Sequence, residues 1–150
     1  MLRHKAAAYA ISAMVELSRH GHNGAARELS AGVIAQKYGL PVSYTAKILG
    51  HLARASLLRS GRGPNGGFAL LRDPGSINLF EILKAVGALE SGQVDLAEPT
   101  PDTVQTNLNG VLEFATGRAH QVFEETTLAD LLNSTANNAV HGGAVDAVTA

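Results

Sequence analysis

The sequence predicts a mainly α-helical fold that carries one small two-stranded hairpin. Three observations predict it. Apolar residues recur at intervals of three and four over most of the first 132 positions. Two short helical patterns flank Gly39-Leu40-Pro41. A glycine-rich turn, Gly61 to Gly67, then separates two short β-prone runs. Two helices joined by a tight glycine-containing turn form a helix-turn-helix, and a hairpin directly behind it makes a winged helix.

Each element has a local reason. Residues 4–19 read as a helix, with Ala7, Ala10, Ile11, Met14 and Leu17 on one stripe. Gly21 and Gly24 end it, and residues 22–29 read as a polar loop. Ser30 is placed to cap a second helix, whose apolar positions are Val33, Ile34, Ala35 and Tyr38 and which Gly39 stops. Ser43 is expected to cap a third, with Tyr44, Ile48, Leu52 and Ala55 about four apart. Leu57-Leu58-Arg59-Ser60 and Phe68-Ala69-Leu70 read as the two strands. After the break at Asp73-Pro74-Gly75-Ser76, a helix is expected over 77–89. Residues 90–102 form a loop with two prolines and four acids. A long helix follows over 103–125, and Thr127 is placed to cap a short last one over 128–132.

The domain reading follows. Residues 1–89 are a winged helix-turn-helix domain, 90–102 a loop, 103–132 a dimerisation helix with the short last helix, and 133–150 a disordered tail. The long helix carries a narrow apolar stripe, and a second copy of itself is the simplest surface to cover it. Leu108, Val111, Leu112, Ala115, Ala119 and Val122 are the expected dimer contacts. Gly110 and Gly117 each weaken that helix by about 1 kcal/mol relative to alanine.

Charge is distributed unevenly. The net charge is −1, yet residues 1–72 hold ten Lys/Arg against two acids, and residues 73–150 hold two against eleven. A basic half points to a polyanionic partner. The chain has no cysteine, which excludes disulfides, cysteine zinc sites, thiol switches and clusters held by thiolates. Its six histidines are scattered without ligand spacing, so no metal and no cofactor are expected. No apolar run reaches the roughly 20 residues of a membrane span, and a cytoplasmic location is expected. The sequence carries no P-loop, HExxH or nucleophile elbow, so no enzyme activity is expected. Gly61, Gly63 and Gly66 spell GxGxxG, but that motif must open a helix behind a strand to hold a dinucleotide, and here it joins two strands.

Double-stranded DNA is the predicted partner. The N-terminal residues of the third helix are those that enter the major groove in this arrangement. Ser43, Tyr44, Thr45, Lys47 and His51 are therefore candidates, with the Tyr44 ring expected on the core face beside Ile48 and Leu52. In the turn, Arg62 is the charged tip, suited to a narrow minor groove. Gly63 and Gly66 let the backbone approach closely, Pro64 stiffens the turn, and Asn65 completes it, with Arg59 on the strand leading in. Arg3 and Lys5 stand where they would meet phosphates.

These residues resemble the Rrf-two family of bacterial transcription regulators. The resemblance rests on Tyr9-Ala10, Ile34-Ala35, Gly39-Leu40, Ser43-Tyr44 and Leu57-Leu58-Arg59-Ser60, above all on Arg62-Gly63-Pro64-Asn65-Gly66-Gly67-Phe68-Ala69-Leu70, and on Thr127-Leu128-Ala129-Asp130-Leu131. It implies a homodimer on a dyad-symmetric operator, acting as a repressor, with dimer contacts from the long helix. Many family members hold an iron–sulfur cluster on three cysteines in the loop matching 90–102, and this loop has none. Two other readings keep the same fold. One is a protein-interaction module that docks a metabolic enzyme through the long helix. The other is a regulator gated by a small-molecule or protein effector.

Overall fold

The computed structural model describes residues 4–21, 27–90 and 92–133. Its helices are α1 (His4–His20), α2 (Ala31–Tyr38), α3 (Val42–Arg54), α4 (Leu79–Ala85), α5 (Asp102–Glu125) and α6 (Leu128–Leu132). Strands β1 (Leu58–Ser60) and β2 (Phe68–Leu70) pair antiparallel, with Arg59 opposite Ala69. The chain is a winged helix-turn-helix followed by a long C-terminal helix. The expected tail, residues 133–150, lies beyond the described residues from position 134 onward.

The core forms around α1. Ala6, Ala7, Ala10, Ala13, Met14 and Leu17 are buried along it. Against them pack Ile34 of α2, Ile48, Leu49 and Leu52 of α3, Leu57 and Leu58 at the wing, and Ile82 and Leu83 of α4. Four alanines on one stripe let neighbouring helix backbones come close.

The helix ends follow capping chemistry. Ser30 Oγ accepts from Val33 N at 3.2 Å, and Gly39 closes α2 at φ 63°, a left-handed value glycine adopts freely. Ser43 does not cap α3. The helix starts at Val42 with Pro41 at the cap position and no side-chain cap bond. Thr45 braces this first turn, since its backbone N–H and its hydroxyl both donate to the Pro41 carbonyl, at 3.0 and 2.9 Å. Helix α4 is shorter than the expected 77–89. Asn78 and Glu81 form a capping box at its start, and Gly87 at φ 63° follows its end.

Long-range pairing accounts for the late start of α4. Leu79 N donates to Thr126 O, and Leu128 N to Ile77 O, both at 2.8 Å. These bonds hold α6 against the start of α4, and Leu128 is fully buried in the common core. The polar loop before α2 also has a structural part. Leu29 exchanges two backbone hydrogen bonds with Phe68, at 2.9 and 2.8 Å, and so adds a bridge to the base of the wing. Gly67 makes this possible, because a Cβ there would stand 2.6 Å from the Leu29 backbone.

A buried carboxylate ties α1 to α2. Glu16 accepts from Lys37 Nζ at 2.7 Å and from Tyr38 OH at 3.0 Å, and His20 Nδ1 lies 3.3 Å away. Burial alone pushes its pKa up, but the hydrogen bonds from Lys37 and Tyr38 and the charges of Lys37 and His20 outweigh it and hold the carboxyl below its usual value. Tyr38 is pushed above the usual tyrosine value by burial and by its bond to Glu16.

Two predictions follow from this packing. Leu128→Ala opens a cavity in a closed core and is expected to cost about 2–5 kcal/mol, read from urea unfolding; a loss below about 1 kcal/mol would place α6 outside the cooperative unit. Glu16 has a depressed pKa in the fold, so its ionised form stabilises the protein above the unfolded value of about 4.3, and that gain fades as pH falls through the folded value. The stability advantage of wild type over Glu16→Gln should therefore be widest near pH 6–7 and narrow below about pH 4. An equal gap at pH 3 and pH 7 would contradict the pairing.

Candidate nucleic-acid interface

α3 is amphipathic in the sense a groove-binding helix requires. Thr45, Ile48, Leu49 and Leu52 are buried. On the opposite side Val42, Ser43, Ala46 and Lys47 are exposed. Because the helix begins one residue before Ser43, the Ser43 hydroxyl is left at the surface rather than used in a cap. Thr45 is the correction to the expected set. It is 0% exposed and its hydroxyl is bonded back to Pro41, so it supports the first turn and offers nothing to a partner.

Tyr44 is half-buried, with its ring edge-on to Tyr9 at 5.2 Å, so it packs α3 on α1. Its flank still lines a cleft of about 430 Å³ together with Lys5, Ala6, Lys47, Ile48, His51 and Val86. The fold thus brings Lys5 of α1 beside Lys47 and His51 of α3, which lie more than forty positions further along the chain. Arg54, which sequence reasoning did not single out, lies with its guanidinium 2.9 Å from His51 Nδ1. The i, i+3 spacing of two polar residues on a helix was the available signal.

The wing tip is tightly made. Gly61 N donates to Gly67 O at 2.8 Å and Gly66 N to Gly63 O at 3.0 Å. Gly63 has φ 98°, which an L side chain rarely adopts. A Cβ on Gly66 would stand 2.5 Å from the Gly61 carbonyl oxygen, so the two arms of the turn lie directly on each other. Arg62, Gly63, Pro64 and Asn65 are exposed at the tip, and Arg59 is exposed on β1. Arg3 lies outside the described residues. Some cations of the basic half are engaged elsewhere. Lys37 pairs with Glu16, and Arg72 pairs with Glu81 at 2.8 Å.

One face of the C-terminal helix is left uncovered by its own chain among the described residues. No residue of α5 is buried, and Val111 and Phe114 are 65% and 74% exposed. Of the expected dimer residues, Val111, Ala115, Ala119 and Val122 are exposed, whereas Leu108 and Leu112 are half-buried. The larger exposed side chain, Phe114, was outside the expected set. The 92–101 loop is strapped to α5 by side-chain amides. Gln105 accepts from Leu96 N at 2.7 Å and donates to Val94 O, and Asn109 accepts from Val94 N at 3.3 Å. Gly92 sits against Leu112 and Thr116. Between loop and helix lies a cavity of about 520 Å³, lined largely by apolar side chains such as Leu89, Val94, Leu112 and Phe123.

Comparison with known proteins places the chain. The family of Rrf2 regulators, described as iron-dependent transcriptional regulators, matches residues 3–134. A candidate HTH-type transcriptional regulator of Azotobacter vinelandii, ORF2, is 37% identical over 78 residues, which are 52% of this chain and 46% of that protein. The match thus spans about half the length of that relative. Among solved structures, CymR, the global cysteine regulator of B. subtilis, superposes with a TM-score of 0.64 at 25% identity, covering 84% of this chain and 92% of that one. The IscR of T. potens gives 0.62 at 28% identity, covering 97% and 89%.

The iron in the family description finds no thiolate here. The chain has no cysteine, and the described residues include no group of three or more His, Asp or Glu able to hold a metal. Amide side chains of α5 hold the 92–101 loop. No described helix is long and apolar enough to cross a membrane. The exposed recognition helix, the glycine-built wing and the match over residues 3–134 together identify the chain as a helix-turn-helix transcriptional regulator of the Rrf2 family.

Proposed function

We propose that the protein is a homodimeric repressor that binds a dyad-symmetric DNA operator without an iron–sulfur cluster. The observation that carries this reading is the outward face of α3, with Ser43 and Lys47 exposed and Lys5 and His51 gathered at its side. In each protomer α3 enters the major groove and the wing places Arg62 in the adjacent minor groove. Lys5, Arg59 and Arg3 meet phosphates, which fix position without reading sequence. Tyr44 buttresses the helix, and Gly63, Pro64, Asn65 and Gly66 form the tip that follows the groove wall.

Dimerisation through α5 supports the operator symmetry. A helix with Val111 and Phe114 this exposed needs a partner surface, and a second copy supplies one. Val122, Ala115 and Ala119 extend the same surface. The half-sites would then lie about 34 Å apart, one turn of the double helix. A dimer seated on a promoter blocks polymerase, which is the physical basis for repression. Residues 1–89 and 103–132 serve as the DNA-binding and dimerisation parts, with 90–102 as the loop between them.

The test is enrichment of genomic fragments by purified, metal-free protein, with Arg62→Ala beside it. An enriched dyad site is expected, and Arg62→Ala should weaken binding about tenfold at fixed salt, most on sites with A·T-rich flanks. A change within twofold contradicts the wing placement. Lys47→Ala separates two roles. A base contact changes the preferred sequence, whereas a phosphate contact lowers affinity equally on random DNA and reduces the salt slope by about 0.9. For the dimer, Phe114→Glu should yield a folded monomer in sedimentation. Retention of the dimer would move the interface off this face of α5.

A further inference from the structure

The two flanks of α3 differ in chemistry. At 100° per residue, the side opposite its buried face carries Ser43, Ala46, Lys47, Gly50 and, at the helix end, Arg54. Lys47 turns toward the cleft it shares with Lys5 and His51. On the other flank Val42 and Ala46 stand one turn apart at i and i+4. Val42 is 55% exposed, Ala46 is exposed, and neither side chain carries a polar atom. At Gly50, one turn further, nothing lies within 4 Å of where a Cβ would stand. The apolar pair therefore projects from the first turns without a larger neighbour at Gly50 to shield it.

A single exposed valine on a protein surface is ordinary. Its position here is not. Val42 is the first residue of the helix whose opening turns meet base edges, and Lys47 on the opposite flank of the same helix carries a charge that complements a DNA backbone. Among the groups that bases present in the major groove, one is apolar, the C5-methyl of thymine. Cytosine has only a hydrogen at C5 and beside it an N4 amine, whose hydrogens an aliphatic contact leaves unpaired.

We infer that Val42, backed by Ala46, is a specificity residue that reads a thymine methyl group in the major groove. The inference rests on the DNA-binding reading above and deepens it from positioning to sequence choice. Ser43 stands between the apolar flank and Lys47, so the face graduates from methyl recognition through a hydroxyl to a cation. Removing one buried methyl contact corresponds to about a fourfold loss of affinity.

The experiment uses the full-length protein and a duplex it has enriched. Each thymine is replaced in turn by 2′-deoxyuridine, which removes the methyl and leaves every hydrogen-bonding group in place. Dissociation constants are measured by fluorescence anisotropy for wild type and Val42→Ala. Val42 is at the surface, and matching thermal melts of the two proteins confirm that both are folded. One thymine per half-site is expected at which uracil weakens wild type about fourfold, while Val42→Ala loses less than twofold on the same substitution. Tolerance of uracil within twofold at every position by wild type overturns the inference. An equal loss in Val42→Ala overturns it as well, because the methyl is then read by another residue. Either of those results, with tight binding to the unsubstituted duplex, leaves the DNA-binding reading standing. A protein that enriches no duplex refutes that reading, and this inference with it.

Discussion

The burial of one alanine-rich stripe of α1 is the constraint on which the other elements depend. Ala6, Ala7, Ala10 and Ala13 are too small to hold neighbouring helices away, so α3 and α4 pack closely on α1, and Met14 and Leu17 fill the space toward its end. That packing sets the tilt of α3, and with it the direction in which Val42, Ser43 and Lys47 face. The Glu16 contacts with Lys37 and Tyr38 then fix α2 on the same helix. A change in α1 therefore reaches the proposed interface without touching an interface residue.

The wing depends on the same body through a different bond type. Its two strands are three residues each, too short to stand alone. Leu29 lends two backbone hydrogen bonds at the base, and Leu57 and Leu58 are anchored in the core. Glycine is required at 67 for the approach of Leu29 and at 63 for a positive φ. The rigidity of the base leaves Arg62 on a short, stiff tip.

At the other end of the molecule the loop before α5 uses neutral chemistry. Gln105 and Asn109 bond the backbone of Val94 and Leu96, and Gly92 rests on the helix. Without thiolates the loop has no donor set for a cluster, so its conformation is carried by amide hydrogen bonds and apolar contact. The exposed valines and Phe114 of α5 face away from this arrangement or beyond it, and they supply the area that a second copy would cover.

The residue order alone determined the fold class, because the 3.6-residue periodicity, the glycine stops and the wing turn are local signals that neighbours in sequence suffice to set. It also determined the charge asymmetry and, through the absence of cysteine, the loss of thiolate chemistry. The tertiary structure decided what depended on distant segments. Thr45 is buried because it lies on the face of α3 that carries Ile48, Leu49 and Leu52 into the core, and the helix is capped at Pro41 rather than at Ser43. Helix α4 starts late because Ile77 and Leu79 pair with Leu128 and Thr126 near the end of the chain, and it ends early at the left-handed Gly87. Leu29 joins the wing, Lys5 meets Lys47 and His51, and α6 enters the core for the same reason. Contacts between residues tens of positions apart are chosen by packing, and no periodicity in the sequence records them.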